Sequence, residues 1–330
     1  MSRIAVIQTA FPGDVILCTP IFESLNSAGH QVVAVVRPQA EPLLRHNPHI
    51  DKLILYDKGK GLFAFLRAAG ELKSENCDAA LILQRYLKSG FLPLCAGIDK
   101  RVGYDIAEVK LLYTDEIHYD RNGHEVQRCL ALCQGFSPTS GFSPKIEITN
   151  DEIKKARELL LKQQINIENF IVIAPGSVWA TKRWDSYREL AELLRKKYDS
   201  DIVLLGSDDD YDLCRKISAE GPAHNFAGKT DLLQSAAIIK LARLAITNDS
   251  APAHIAAAVG TSVAAIFGPT IPAFGFAPYS DESTVIENKD LYCRPCNAHG
   301  PMKCPEKHFK CMIEISADKV LRECEKLISE

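Results

Sequence analysis

The chain has 330 residues, 46% hydrophobic and 25% charged, with a formal net charge of −3. That is enough material for two hydrophobic cores, without the global basic field that non-specific nucleic-acid binding requires. No apolar run approaches a bilayer span and the first residues enter a strand pattern directly, so the expectation is a cytoplasmic protein with at most peripheral membrane contact.

In chain order, the apolar periodicity predicts a strand at 4–8, a helix over about 15–28, a strand at 31–36, a helix near 41–46, a strand at 52–56, a helix over 62–74 and a strand at 79–83. The strands are short and almost wholly apolar, as strands covered by helices on both faces are. A further helix is read at 124–134. Residues 135–149, rich in Gly, Pro and Ser, are the candidate linker. The alternation then restarts, with a helix at 151–164, strands at 170–174, 201–205, 244–247 and 262–267, and helices at 184–197, 210–219, 232–241 and 253–259. The pattern predicts an α/β chain of two Rossmann-like halves, residues 1–149 and 150–315, with a closing helix in 316–330. Ligands of such sheets gather beyond the carboxyl ends of the strands, and each polar motif falls at such an end.

Asp14 follows the first strand at the mouth of the first helix, where an acid serves either a ligand site or the helix dipole. The loop lacks the G-x-G-x-x-G of dehydrogenases. In the second half, Ala-Pro-Gly-Ser-Val-Trp-Ala-Thr-Lys-Arg-Trp (174–184) brings Gly176, Ser177, Lys182 and Arg183 to what reads as a helix start. Cations there oppose the dipole, a cost that a bound diphosphate would offset. After the strand at 201–205, Asp210 is read as a ribose ligand and Asp208 as a helix cap. Thr-Asn-Asp-Ser-Ala-Pro-Ala-His (247–254) is a strand end feeding a helix. Ser250 stands at the cap with Pro252 beside it, and Asp249 and His254 flank an anion-binding end, which suits a ligand carrying phosphate and sugar hydroxyls.

Of 11 cysteines, Cys18, Cys77, Cys95, Cys129, Cys133, Cys214 and Cys324 are scattered among apolar residues and read as free thiols. Cys293, Cys296, Cys304 and Cys311 cluster in a loop at 293–311. Four thiolates could close a structural zinc or iron–sulfur site, with His299 and His308 as substitutes; disulfides and free thiols are the alternatives.

Pro-Gly-Asp after the first strand, Pro-Gly-Ser-x-Trp-x-x-Lys-Arg-Trp, Gly-Lys-Thr at 228–230 and Thr-Asn-Asp-Ser-x-Pro-x-His together resemble glycosyltransferase family 9, the ADP-heptose:lipopolysaccharide heptosyltransferases. The resemblance implies a GT-B fold, with two Rossmann-like domains facing across a cleft, and a closing helix that crosses to the first domain. It also implies inverting transfer from an ADP-L-glycero-D-manno-heptose donor to a lipid-linked anionic saccharide, the lipopolysaccharide inner core, with no cofactor required for catalysis. By position, Asp14 corresponds to the general base and Lys182 to the holder of the donor diphosphate. Ser177, Val178, Asp210, Thr230, Asp249, Ser250, Ala251 and His254 fall at donor contacts, and Ala251 replaces the family's usual glycine. Arg37, Lys58, Lys60, Arg85, Lys88, Arg101 and Arg128 are the first half's candidates for an anionic acceptor. The rival readings are a GT-B-like sugar-nucleotide epimerase and an inactive nucleotide-sugar binding module.

Overall fold

The computed structural model describes residues 1–219, 221 and 223–328, and the chain divides into two compact units, Met1–Glu147 and Ile148–Glu330. The first unit runs β1 (Arg3–Gln8), α1 (Pro12–Ser27), β2 (Gln31–Val36), α2 (Glu41–Leu44), β3 (Lys52–Leu55), α3 (Gly61–Ser74), β4 (Ala79–Ile82), α4 (Leu87–Cys95), β5 (Lys100–Tyr104), β6 (Asp115–Ile117) and α5 (Glu125–Ala131). Its strands form one parallel sheet in the order β3-β2-β1-β4-β5-β6. Alternate residues of each central strand face opposite cores. Ile4 and Val6 meet Phe22 of α1 and Cys129 of α5, while Ala5 and Ile7 meet Leu72 of α3 and Leu92 of α4.

The second unit runs α6 (Asn150–Lys162), β7 (Phe170–Ala174), α7 (Tyr187–Tyr198), β8 (Asp201–Leu204), α8 (Tyr211–Ser218), β9 (His224–Asn225), α9 (Leu232–Leu241), β10 (Leu244–Asn248), α10 (Ala251–Val259), β11 (Val263–Phe267), β12 (Ser283–Glu287), α11 (Lys310–Ile313) and α12 (Ala317–Ile328). The sheet order β12-β11-β10-β7-β8-β9 repeats the first unit's topology, with the order reversing between β7 and β10. That reversal is where a doubly wound sheet leaves room for a ligand.

Local sequence explains the helix ends. Thr149 accepts from the Glu152 amide ahead of α6, Asp231 and Gln234 form a capping box on α9, and Gly260 closes α10 with φ +81°; glycine takes that left-handed position without a steric penalty. The periodicity did not disclose α4, β5, β6, β9, β12 or α11. Four of these are strands, and three of those are short or partly exposed edges whose polar residues mask the pattern. The helix read from 184 begins instead at Tyr187, because residues 180–182 form a separate 3-10 turn and Arg183 is extended. The closing helix, which the resemblance would carry across to the first half, is α12. Its described residues pack on α7 and on β10, β11 and β12, with Val320 and Cys324 fully buried, and Ser329 lies outside the described residues.

Phe22, fully buried, fixes α1 to its sheet. Phe22→Ala is expected to cost about 3–5 kcal/mol, read as a lowered denaturant midpoint for the first unit.

Candidate functional site

At the carboxyl end of β10, Asn248 and Asp249 organise the surrounding loops. Asn248 is fully buried. Its side-chain amide donates to the Pro175 carbonyl (2.7 Å), and its oxygen accepts from the Trp184 backbone amide (3.2 Å) and the Tyr187 hydroxyl (2.9 Å). These bonds hold both ends of the 175–184 loop after β7 against the neighbouring strand. Asp249, 7% exposed, accepts from Lys182 Nζ and from Thr270 Oγ1, both at 2.6 Å. Lys182 is itself only 9% exposed. It ends the 3-10 turn rather than standing at a helix start, and it meets an acid 67 residues away. An ammonium has three donors, and the Asp249 bond occupies one.

A cavity of about 560 Å3 opens beside this pair, within the size range of small-ligand sites. Gly176, Ser177, Val178, Arg183, Asp210, Thr230, Ser250 and Ala251 line it, so eight of the sequence candidates gather on one wall system. Lys182, Asp249 and His254 do not. The first two lie one residue before the lining residues Arg183 and Ser250, and His254 is buried in α10, 6% exposed. Ser250 occupies the N-cap position of α10, but its hydroxyl donates to the Asn248 carbonyl at 3.4 Å instead of capping. Pro252, at the helix's second position, carries no N–H, and the Ala253 amide already donates to the Ser250 carbonyl at 3.0 Å, so Ala251, a lining residue, brings the first amide of α10 to the cavity.

The cap read for Asp208 falls instead to the Ser207–Asp210 pair, and Asp210 also lines the cavity. Asp210, not Asp208, makes the cap: its carboxylate accepts from the Ser207 amide (2.9 Å) and hydroxyl (2.8 Å). This turn fits only because of glycine. A Cβ on Gly176 would stand 2.4 Å from the Asp210 carboxyl and one on Gly228 would stand 2.2 Å from that of Asp208. Thr230 bonds Ser235 at 2.8 Å. Sequence reasoning missed Asp231, Ser235, Ile239 and Ile255 in the lining, and it missed Thr270. The only sequence signal for Thr270 was its place just after the Gly-Pro that ends β11.

The four clustered cysteines are free thiols, and among the described residues no group of three or more His, Cys, Asp or Glu side chains is arranged to hold a metal ion. Cys311 is drawn into the core beside Met312, while Cys296 Sγ turns to the Cys293 carbonyl at 3.6 Å and Cys293 Sγ stands 3.9 Å from His308 Nε2. Burial pushes the Cys311 thiol up to about 11, keeping it neutral near pH 7.

In the first unit, Asp14 lies in the first turn of α1, half-buried. Burial and then its negative charge raise the Cys18 thiol. The seven basic candidates divide by their partners. Arg101 is spent on the carbonyls of Leu112, Ile98 and Asp99, Arg128 on Glu125 and the Asp120 carbonyl, Lys60 on Asp57, and Arg85 stacks over Tyr119. Arg37, Lys58 and Lys88 pair with no acid among the described residues, and Arg37 Nε is buried without an acceptor. They stand beyond the carboxyl ends of β2, β3 and β4. There Tyr56 N bonds the Val36 carbonyl (2.8 Å) and Ser89 bonds Thr9 (3.0 Å), knitting the strand ends together. Burial, then the charges of Arg37 and Lys88, depresses the Lys58 ammonium to about 8.

The family model described as glycosyltransferase family 9 (heptosyltransferase) matches residues 65–308. Lipooligosaccharide heptosyltransferase 2 of Haemophilus ducreyi is 27% identical, the alignment covering 99% of each chain. Among solved structures, ADP-heptose lps heptosyltransferase II of E. coli superposes with TM-score 0.82 at 24% identity, covering 99% of this chain and 98% of that one. The glycosyl transferase family 9 protein of Veillonella parvula gives 0.88 at 24% identity, covering 99% and 97%. These whole-chain likenesses show the α/β, GT-B class of fold. No helix among the described residues is long and apolar enough to cross a membrane.

Asn248→Ala removes the amide that satisfies the Pro175 carbonyl and the acceptor of two donors. A cost of about 1–3 kcal/mol is expected, measured as a lowered melting temperature together with weakened nucleotide binding.

Proposed function

Because the chain belongs to glycosyltransferase family 9, we propose that it is an inverting heptosyltransferase that moves a heptose from ADP-L-glycero-D-manno-heptose to the inner core of lipopolysaccharide. The observation that carries this reading is the cavity at the strand-order reversal of the second sheet, flanked by the Lys182–Asp249 pair and the N-terminus of α10. The whole-length relatives are named heptosyltransferases, which favours transfer over sugar-nucleotide epimerisation or mere binding.

In this mechanism the acceptor hydroxyl oxygen bonds the anomeric carbon as the carbon–oxygen bond to the diphosphate breaks, and ADP leaves with the electron pair. Asp14 takes the hydroxyl proton. A carboxylate of ordinary basicity suffices, since the hydroxyl becomes strongly acidic only as it bonds the electron-poor carbon. Charge gathering on ADP is met by Lys182, Arg183 and the Ala251 amide, groups already fixed before reaction. Gly176, Ser177 and Val178 approach the diphosphate, while Asp210 and Thr230 face the nucleoside side of the same cavity. Asp249 holds Lys182 in place, and Ser250, Ala251 and His254 shape the helix end.

The first unit supplies the acceptor side. Arg37, Lys58 and Lys88 suit an anionic saccharide, and the nearby first turn of α3 exposes Leu62 (71%) and Phe63 (81%), a basic and apolar edge fitted to a lipid-linked substrate at the cytoplasmic face of the inner membrane.

Asp14→Asn should lower kcat about 10²–10⁴-fold while leaving donor affinity normal, and near-normal turnover would remove Asp14 as the base. Lys182→Ala should cost about 2–4 kcal/mol of barrier and weaken ADP-heptose binding, with ADP-linked sugars preferred to UDP- and GDP-linked ones. Because Lys58 is charged only below about 8, acceptor KM should rise as pH climbs through that value while donor KM stays level. Lys58→Arg, which stays charged, should flatten the profile.

A further inference from the structure

The segment 293–301 runs beside the Lys182–Asp249 pair, and none of its residues entered the donor site as read above. Four contacts fix it there. The indole of Trp179 stacks on His299, with centroids 5.8 Å apart and planes 16° from parallel. Thr181 Oγ1 donates to the Pro301 carbonyl, and the Cys296 amide donates to the Pro269 carbonyl at 2.9 Å. Gly300 is buried with φ +84°, and a Cβ there would stand 3.0 Å from Pro269 and 3.3 Å from Lys182 Cγ. The bare glycine backbone thus lies directly on the lysine's aliphatic stem.

A second route reaches the same pair from the acid. The Arg294 side chain is 3% exposed and paired with Glu287 at 2.8 Å; it also donates to the Asn288 carbonyl and, at 2.6 Å, to the carbonyl of Thr270. Thr270 is the residue whose hydroxyl holds Asp249. Arg294 therefore anchors the backbone of the group that orients the lysine's counter-ion.

We propose that segment 293–301 is the positioning element of the donor-phosphate lysine, with Gly300 seating the Lys182 stem and Arg294 aligning Asp249 through Thr270. The physical need is clear: a lysine side chain is flexible and loses rotamer entropy when it grips an anion, and a floor beneath its stem and a fixed counter-ion remove that freedom before the diphosphate arrives. The planar guanidinium is what spans Glu287, Asn288 and Thr270 at once, a reach that a lysine lacks.

This inference rests on the reading that Lys182 grips the donor diphosphate, so the test separates the two. Donor KM, acceptor KM, kcat and melting temperature are measured for Gly300→Ala, His299→Ala, Arg294→Ala, Arg294→Lys and Thr270→Val, each alone and on the Lys182→Ala background. Alone, Gly300→Ala and Arg294→Ala should raise donor KM about tenfold, and His299→Ala and Thr270→Val three- to fivefold, with acceptor KM unchanged. Arg294→Lys should recover the melting temperature but not donor KM. On the Lys182→Ala background the increments should vanish, because they act through that side chain. His299 is exposed, so its variant folds even if Gly300→Ala does not. If the variants lower the melting temperature yet leave donor KM within twofold, or if their effects persist undiminished without Lys182, the segment is structural only and the proposal is overturned. If Lys182→Ala itself leaves donor KM unchanged, it is the phosphate role of Lys182 that fails.

Discussion

The end of β10 is the constraint on which the second unit's chemistry depends. Asn248 and Asp249 are consecutive, so their side chains leave the strand in different directions. One satisfies the backbone of the loop after β7 and the other fixes the charge that this loop delivers. A buried carboxylate is tolerable only when paired and hydrogen-bonded. Asp249 meets that condition with one cation and one hydroxyl drawn from separate loops. The requirement of a single acid thus brings three strand ends into register.

Around that point, glycine decides how closely acids and backbone approach. Gly176, Gly206 and Gly228 stand where any side chain would collide with Asp208 or Asp210. The capped turn after β8 consequently packs tightly against the loop after β7, and small polar groups such as Ser177, Ser207 and Thr230 share the cavity wall with aliphatic side chains such as Leu232, Ile239 and Ile255.

The same sheet order serves different purposes in the two units. The second surrounds its strand ends with a satisfied network and a concave site. The first leaves three cations without acids, among the described residues, at the corresponding ends and exposes apolar residues on the first turn of α3. Burial first, and then the like charges of Arg37 and Lys88, depress the Lys58 ammonium. Such a cost is offset when an anion is bound.

The sequence by itself determined the α/β class, the central strands and the loops that carry chemistry, because an apolar run between Gly, Pro and polar turns has few other structural outcomes. It also placed Gly176, Ser177, Asp210 and Ser250 at one site, since each follows a strand whose end must face the same edge of a parallel sheet. Only the tertiary structure decided which group meets which. Asp210 rather than Asp208 caps its turn because the turn's starting residue and the clearance at Gly176 select it. Lys182 is buried against Asp249, and Thr270 and Arg294 enter the network, through contacts between residues far apart in the chain. Local propensity carries no record of such pairings, and whether four nearby thiols converge or point apart depends on where the loop that bears them is anchored. Cys311, drawn into the core with Met312, takes its place by such packing.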